Sequence, residues 1–300
     1  GALGHKAIAV KLVKHDRAQA EQPASLTGRH KRFVKFAVAF DPFGMTLHPA
    51  FLHAPLAHRA LHDIRAGRPE NSRAAMEAAI AAGYGIEVDV QLSADGVAMV
   101  FHDYNLARLT GVEGAVADLC AAELAQLPLL GGDEGVPTLA EVLTLVAGRT
   151  ALLVEMKDQH GAMGAGDGAL ERAVARDIAG YTGPLAVMSF NPHMVLALRD
   201  LAPDVARGIV TSAYDPKDAD WALLPTATRD HLRKIAEYDA ADCSFISHER
   251  HDLGRARVAD LKSHGAAVLT WTVRSPEQER DARRVADNIT FEGYLAPHPG

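Results

Sequence analysis

The 300 residues suffice for one large domain or two ordinary ones, and 48% apolar with 23% charged residues is a globular composition able to bury a sizeable core. A formal net charge of −7 excludes the basic surface of a general nucleic-acid binder. No apolar run approaches the ~18 residues of a membrane span, and Cys120 and Cys243 are too few and too far apart for a disulfide framework or a zinc cluster. A cytoplasmic protein without stable membrane insertion is expected.

Residues 1–44 are rich in histidine and lysine, lack regular periodicity and end at the turn signal Asp41-Pro42-Phe43-Gly44. They are expected to form a flexible or accessory N-terminal extension ahead of one domain over 45–300. From residue 51 the pattern becomes regular. A short apolar run, Pro55-Leu56-Ala57, leads to His58-Arg59, and Ser72–Ala82 reads as a helix capped at Asn71-Ser72 and stopped by Gly83. Ile86–Leu92 and Val97–His102 follow as strands joined through Asp95-Gly96, a turn signal. Later strand candidates are Ala151–Met156, Leu185–Ser189, Ala206–Val210, Ser244–Ser247, Ala267–Val273 and Ile289–Tyr294. Helix candidates Thr138–Ala147, Ala169–Ala179, Pro192–Leu201, Arg255–His264 and Pro276–Ala286 lie between most of them.

This alternation implies βαβ units and a parallel sheet. The strand candidates number one more than the eight of an α/β barrel, so one is expected to be spurious or an extra hairpin strand. The irregular stretch 103–136 reads as an insertion.

The notable polar residues fall where the strands end, which in a barrel is the catalytic face. Glu87 and Asp89 stand two apart in an otherwise apolar strand, so both carboxylates face one side. Unpaired buried acids are heavily disfavoured, and a divalent cation with hard oxygen ligands is an economical partner for them and for Glu155. Mg²⁺ or Ca²⁺ suits such a set. His58 and His102 each follow an apolar run and precede a charged residue, whereas the other histidines have no such context. Two imidazoles near a metal suit acid–base catalysis at neutral pH. Arg59 and Lys157 offer the positive charge that a phosphate diester requires.

His58-Arg59, Pro69-Glu70-Asn71-Ser72, Ile86-Glu87-Val88-Asp89-Val90, Asp95-Gly96, His102-Asp103, Val136-Pro137-Thr138-Leu139 with Glu141-Val142-Leu143, Val154-Glu155-Met156-Lys157, Ser189-Phe190 and Trp271-Thr272-Val273 occur in one order and spacing. From about residue 51 onward the chain resembles the glycerophosphodiester phosphodiesterases. The resemblance implies a (β/α)₈ TIM barrel with a small insertion after the third strand, and hydrolysis of glycerophosphodiesters to glycerol 3-phosphate and an alcohol. It implies His58 and His102 as the acid–base pair, and Glu87, Asp89 and Glu155 as ligands of a divalent metal, Mg²⁺ or Ca²⁺, with Mn²⁺ also accepted. Arg59 and Lys157 become phosphate-contacting cations, and Trp271 an aromatic lining the pocket. Which histidine is acid and which base stays open, as does attack by a neighbouring glycerol hydroxyl against direct attack by water. Glu70 is either a partner of the metal ligands or an N-terminal helix charge.

Three departures stand out. Ala60 replaces the family's glycine after His-Arg, implying an ordinary backbone there or a reshaped phosphate pocket. Ser72 replaces threonine and keeps the cap. Asn288–Gly293 replaces an Asp-containing turn, so substrate contacts are expected to differ there. Two competing readings remain: a phospholipase D-toxin-type barrel acting on lysophospholipids, and a non-catalytic barrel that binds phosphate ligands. Beyond the small-molecule substrate no partner is expected, and the sequence does not address oligomeric state.

Overall fold

A computed structural model of the protein describes residues 46–298. The extension expected over 1–44 lies outside the described residues. Strands such as Leu152–Met156 and Leu185–Ser189 read as near-continuous apolar runs, the pattern of parallel strands covered on both faces. In chain order the strands are β1 (Leu56–Ala57), β2 (Gly85–Leu92), β3 (Ala98–Val100), β4 (Leu152–Met156), β5 (Leu185–Ser189), β6 (Ala206–Thr211), β7 (Phe245–Glu249), β8 (Ala267–Val273) and β9 (Asn288–Phe291). All but β3 run parallel, each paired to the next, and β1 closes the ring by pairing with both β2 and β9. The result is a (β/α)₈ barrel. The surplus strand candidate is β3, an antiparallel partner of β2 in which Val100 faces Val90.

The helices are α1 (Ala50–His53), α2 (Arg73–Ala81), α3 (Ala107–Thr110), α4 (Ala121–Leu124), α5 (Leu139–Val146), α6 (Ala169–Ile178), α7 (Pro192–Leu201), α8 (Thr226–Leu232), α9 (Ala256–Ser263) and α10 (Pro276–Ala282). Their starts follow from local chemistry. Ser72 Oγ accepts from the Ala75 amide, Thr138 and Glu141 form a capping box, and Pro192 and Pro276 occupy first-turn positions where no amide hydrogen is needed. No sequence candidate covered α8, whose only buried residue is Leu232. The expected insertion folds as α3, α4 and short turns over its own apolar cluster of Phe101, Leu106, Val116 and Leu124.

Two apolar layers hold the barrel. Outward-facing Ile86, Val88, Val90, Val154 and Val187 pack under the helices. Leu56, Leu153, Met188, Val210, Phe245 and Leu269 fill the interior, with Phe51 of α1 packed against them. Each fully buried side chain of this size contributes roughly 1.5–3 kcal/mol. Gly208 on β6 makes room for one of them, since a Cβ there would lie 2.5 Å from the Phe245 ring. Asn288, at the start of β9, donates to the carbonyls of Phe51 and Ala54, so α1 sits at the end of the barrel opposite the strand C-termini. Among the described residues no helix is long and apolar enough to cross a membrane.

Candidate active site

Strand alternation sends Ile86, Val88 and Val90 outward and Glu87 and Asp89 inward, and register sets Asp89 beside Glu155 of β4. Carboxylate oxygens of Glu87, Asp89 and Glu155 lie within 4.8 Å of one another, and these residues are 1%, 1% and 7% exposed. Lys157, just past β4, donates to Glu155 Oε1 at 2.8 Å and lies 3.5 Å from Asp89 Oδ1. The Arg59 Nε is 3.7 Å from Asp89 Oδ2, which also accepts from Asn71 Nδ2 at 3.0 Å. Burial works to raise the Asp89 carboxyl, but His102, Lys157 and Arg59 together hold it well below the usual carboxylate range. Burial likewise opposes the Lys157 charge, and the Glu155 and Asp89 carboxylates hold its ammonium above the ordinary lysine value.

Glu87 is different. Its Oε2 accepts from the Arg59 amide at 2.8 Å, but its buried Oε1 has no hydrogen-bond partner among the described residues. Burial, reinforced by the Asp89 and Glu155 charges, pushes its carboxyl well above the normal range. A buried acid left this way is costly. Three converging carboxylates with one oxygen orphaned fit a hard divalent cation, whose charge would satisfy the oxygen that Lys157 and Arg59 do not reach.

The histidines flank the triad. His58 follows β1, its amide donating to Phe291 on β9, and its Nδ1 lies 2.6 Å from Glu292 Oε2. Glu292 also meets Arg274 at 2.6 Å and stands 3.7 Å from His62 Nε2. Burial lowers the His58 imidazole below 6.5 despite this hydrogen bond. Burial tends to raise Glu292, yet the His58 contact holds its carboxyl far below the usual range. His102 follows the hairpin strand rather than a barrel strand. Its position at the mouth comes from the Phe101 amide, which donates to the Asp89 carbonyl within β2. Its Nδ1 is 2.7 Å from Asp103 Oδ1. A carboxylate on Nδ1 leaves Nε2 of each ring for proton exchange.

On the far wall, Trp271 of β8 donates Nε1 to Ser247 and meets Phe190 edge-on, ring centres 5.4 Å apart. The eight residues singled out from sequence thus stand on or just past β1, β2, β3, β4 and β8. Five others were not assigned parts in the site. Asn71 has the sequence of a helix cap, Glu70 fits either of two roles, and Asp103 and Arg108 carry no signal of their own beyond the segments they sit in. Glu292 was detectable, because it ends the last strand as the chosen residues end theirs. Glu70 touches Arg59 at 2.8 Å and Arg108 at 2.7 Å, so it serves the arginines rather than a helix end.

The ordinary backbone expected at Ala60 is not found. Arg59 and Ala60 both take left-handed conformations, with φ of 52° and 65°. The turn is needed locally: it puts the Arg59 amide on Glu87 Oε2 and the Ala60 amide on the Glu87 carbonyl. Glycine would enter it freely, and alanine enters at a cost of about 1–2 kcal/mol. Ala60→Gly trades that strain for a lost buried methyl worth ~0.8 kcal/mol, so chemical denaturation should find it within about 1 kcal/mol of wild type. Ala60→Val, β-branched and overpacked, should lose about 3 kcal/mol by the same measurement.

The architecture is that of the (β/α)₈-barrel enzymes, with paired imidazoles and buried acids at the strand C-termini where these barrels carry out their chemistry. The profile of the Glycerophosphoryl diester phosphodiesterase family matches residues 58–289. The glycerophosphodiester phosphodiesterase of Caldanaerobacter subterraneus subsp. tengcongensis is 31% identical over 230 residues, covering 74% of this chain and 87% of that protein. Among solved structures, an Oleispira antarctica phosphodiesterase in complex with the product sn-glycerol-3-phosphate superposes with a TM-score of 0.65 at 25% identity. That match covers 81% of this chain and 94% of the other. A Thermotoga maritima glycerophosphodiester phosphodiesterase shares the fold, with a TM-score of 0.60 at 22% identity over 80% of this chain and 94% of that one. The chain belongs to the glycerophosphodiester phosphodiesterase family, and it is a phosphoric diester hydrolase acting on glycerophosphodiesters.

Proposed function

We propose that this enzyme hydrolyses glycerophosphodiesters to glycerol 3-phosphate and a free alcohol by two-histidine acid–base catalysis at a divalent-metal site. The observation that carries this reading is the pairing of two imidazoles, each held at Nδ1 by a carboxylate, with a triad whose Glu87 Oε1 is orphaned. Glu87, Asp89 and Glu155 would hold the cation, Mg²⁺, Ca²⁺ or Mn²⁺, which when bound supplies positive charge for the phosphoryl oxygens. Arg59 and Lys157 add fixed positive charge beside it, and Trp271 lines the far wall of the pocket. His58, kept neutral by burial, takes at Nε2 a proton from the attacking oxygen, either water or the neighbouring glycerol hydroxyl, and protonated His102 gives one to the leaving alkoxide. Where the glycerol hydroxyl attacks, water then opens the cyclic phosphate with the two roles reversed. The phosphorus–oxygen bond to the alcohol breaks as the new one forms. Glu292 and Asp103 keep the rings aimed and stabilise each when it is charged.

Phosphorus NMR of glycerophosphocholine incubated with the enzyme and Mg²⁺, Ca²⁺ or Mn²⁺ tests the reading directly. Growth of the glycerol 3-phosphate signal is expected. Release of phosphocholine, or binding without turnover, would overturn it.

The pH profile follows from burial. His58 must be unprotonated, so kcat/KM should fall on the acid side with a midpoint below 6.5. Glu292 favours the protonated ring, so Glu292→Gln should move that limb to still lower pH while reducing kcat. Rate measurements from pH 4.5 to 8 decide it; an acid limb that stays in place would dissociate Glu292 from His58.

A further inference from the structure

The insertion contributes one side chain that the reading above does not use. Arg108, on α3, donates through Nε to Asp103 Oδ2 at 2.6 Å and through Nη2 to Asp103 Oδ1 at 2.8 Å. The same guanidinium donates through Nη1 and Nη2 to the two oxygens of Glu70, at 2.8 and 2.7 Å. Each carboxylate has a second partner inside the site. Asp103 Oδ1 holds His102 Nδ1 at 2.7 Å, and Glu70 Oε1 accepts from Arg59 Nη1 at 2.8 Å. One fork therefore joins the two halves of the mouth, from His102 through Asp103, Arg108 and Glu70 to Arg59.

Stability is an incomplete explanation for this arrangement. The Arg108 side chain is 47% exposed, so solvent screens much of its charge, although Glu70 and Asp103 are only 11% and 24% exposed and the bidentate pairs retain some stabilisation. What two bidentate pairs on one planar group supply is geometry, because they fix both carboxylates against the same rigid frame. Among the described residues, neither α3 nor the rest of the insertion adds a ligand to the triad, so its link to the site runs through the Arg108 fork.

We propose that Arg108 is a positioning residue: it sets the aim of His102 through Asp103 and the seat of Arg59 through Glu70, tying proton transfer to phosphate binding. This rests on the acid–base reading given above. Lysine, a point charge, can satisfy one carboxylate but cannot hold both in one plane.

Steady-state kinetics of Arg108→Met and Arg108→Lys on glycerophosphocholine, with thermal melts of both, provide the test. Arg108→Met should lower kcat by roughly 10- to 100-fold and raise KM by a smaller factor, with melting lowered only modestly, since it misaims the proton donor and loosens the seat of Arg59. Arg108→Lys should recover only part of that loss, and guanidinium ion added to Arg108→Met should recover more. Asp103→Asn combined with Arg108→Met should lose less than the product of the two single losses, because the variants share the route to the His102 ring. A kcat within twofold of wild type in Arg108→Met would overturn the proposal, as would losses that multiply in the double variant. A wild type that releases no glycerol 3-phosphate would instead overturn the underlying reading, so the two failures are distinguishable.

Discussion

Alanine at His102 is expected to lower kcat by roughly 10²- to 10⁴-fold while the protein stays folded, the usual worth of one positioned proton-transfer group. That is about 3–5 kcal/mol of transition-state stabilisation. His58→Ala should cost a similar factor. The double variant should not lose the product of the two, because once one proton transfer is gone the other ring has less to act with. The physical ground is the pair of short contacts, 2.6 Å from His58 to Glu292 and 2.7 Å from His102 to Asp103, which fix ring orientation without occupying Nε2. Single-turnover rates with circular dichroism controls would check this. Either single variant working within tenfold of wild type would remove that histidine from the chemistry.

The second large effect concerns the triad. Chelation should abolish turnover, and added Mg²⁺, Ca²⁺ or Mn²⁺ should restore it and raise the melting temperature. At a hundredfold excess over its dissociation constant a ligand adds ~2.7 kcal/mol, roughly 5–10 °C for a domain of this size. Glu87→Gln should lose that shift. Its metal-free form should nevertheless melt at or above wild type at neutral pH, because the substitution removes an acid that is costly to ionise where it stands. The sign follows from linkage. A carboxyl raised in the folded state stabilises below its unfolded value near 4.5, and the contribution disappears as pH climbs through the folded value. Relative to Glu87→Gln, metal-free wild type should therefore lose stability on going up from pH 4.5, because the lowered His58, whose contribution rises over the same range, is common to both. Melting curves in chelator across that range decide between this and a purely structural acid network.

The barrel was readable because its strands are buried on both faces, which leaves β4, β5 and β8 as apolar runs that no surface strand would carry. Asp95-Gly96 marked the hairpin, although nothing local identified β3 as the candidate that lies outside the barrel. Helix α8 escaped because Thr226–Leu232 buries a single residue and shows no apolar stripe. Within the site, the two-residue spacing of Glu87 and Asp89 was enough to put both on one face, and chain order brought Glu155 to them. Two features could not be read. Alanine at position 60 carries no sign of a left-handed backbone; the conformation is imposed by the amides that must reach Glu87. The Arg108 fork depends on how the insertion packs, which no spacing within it encodes.

His58 lies just past the first barrel strand, while the carboxylate on its ring comes 234 positions later, just past the last. A ribosome that has released β1 to β8 therefore displays the whole acidic triad but an unsupported His58. Glu292 takes its place only when β9 zips in between β8 and β1. Competent proton transfer should then arrive with the final strand, so hydrolytic activity would report closure of the ring, and chains cut short before residue 292 would remain weak catalysts however well they fold.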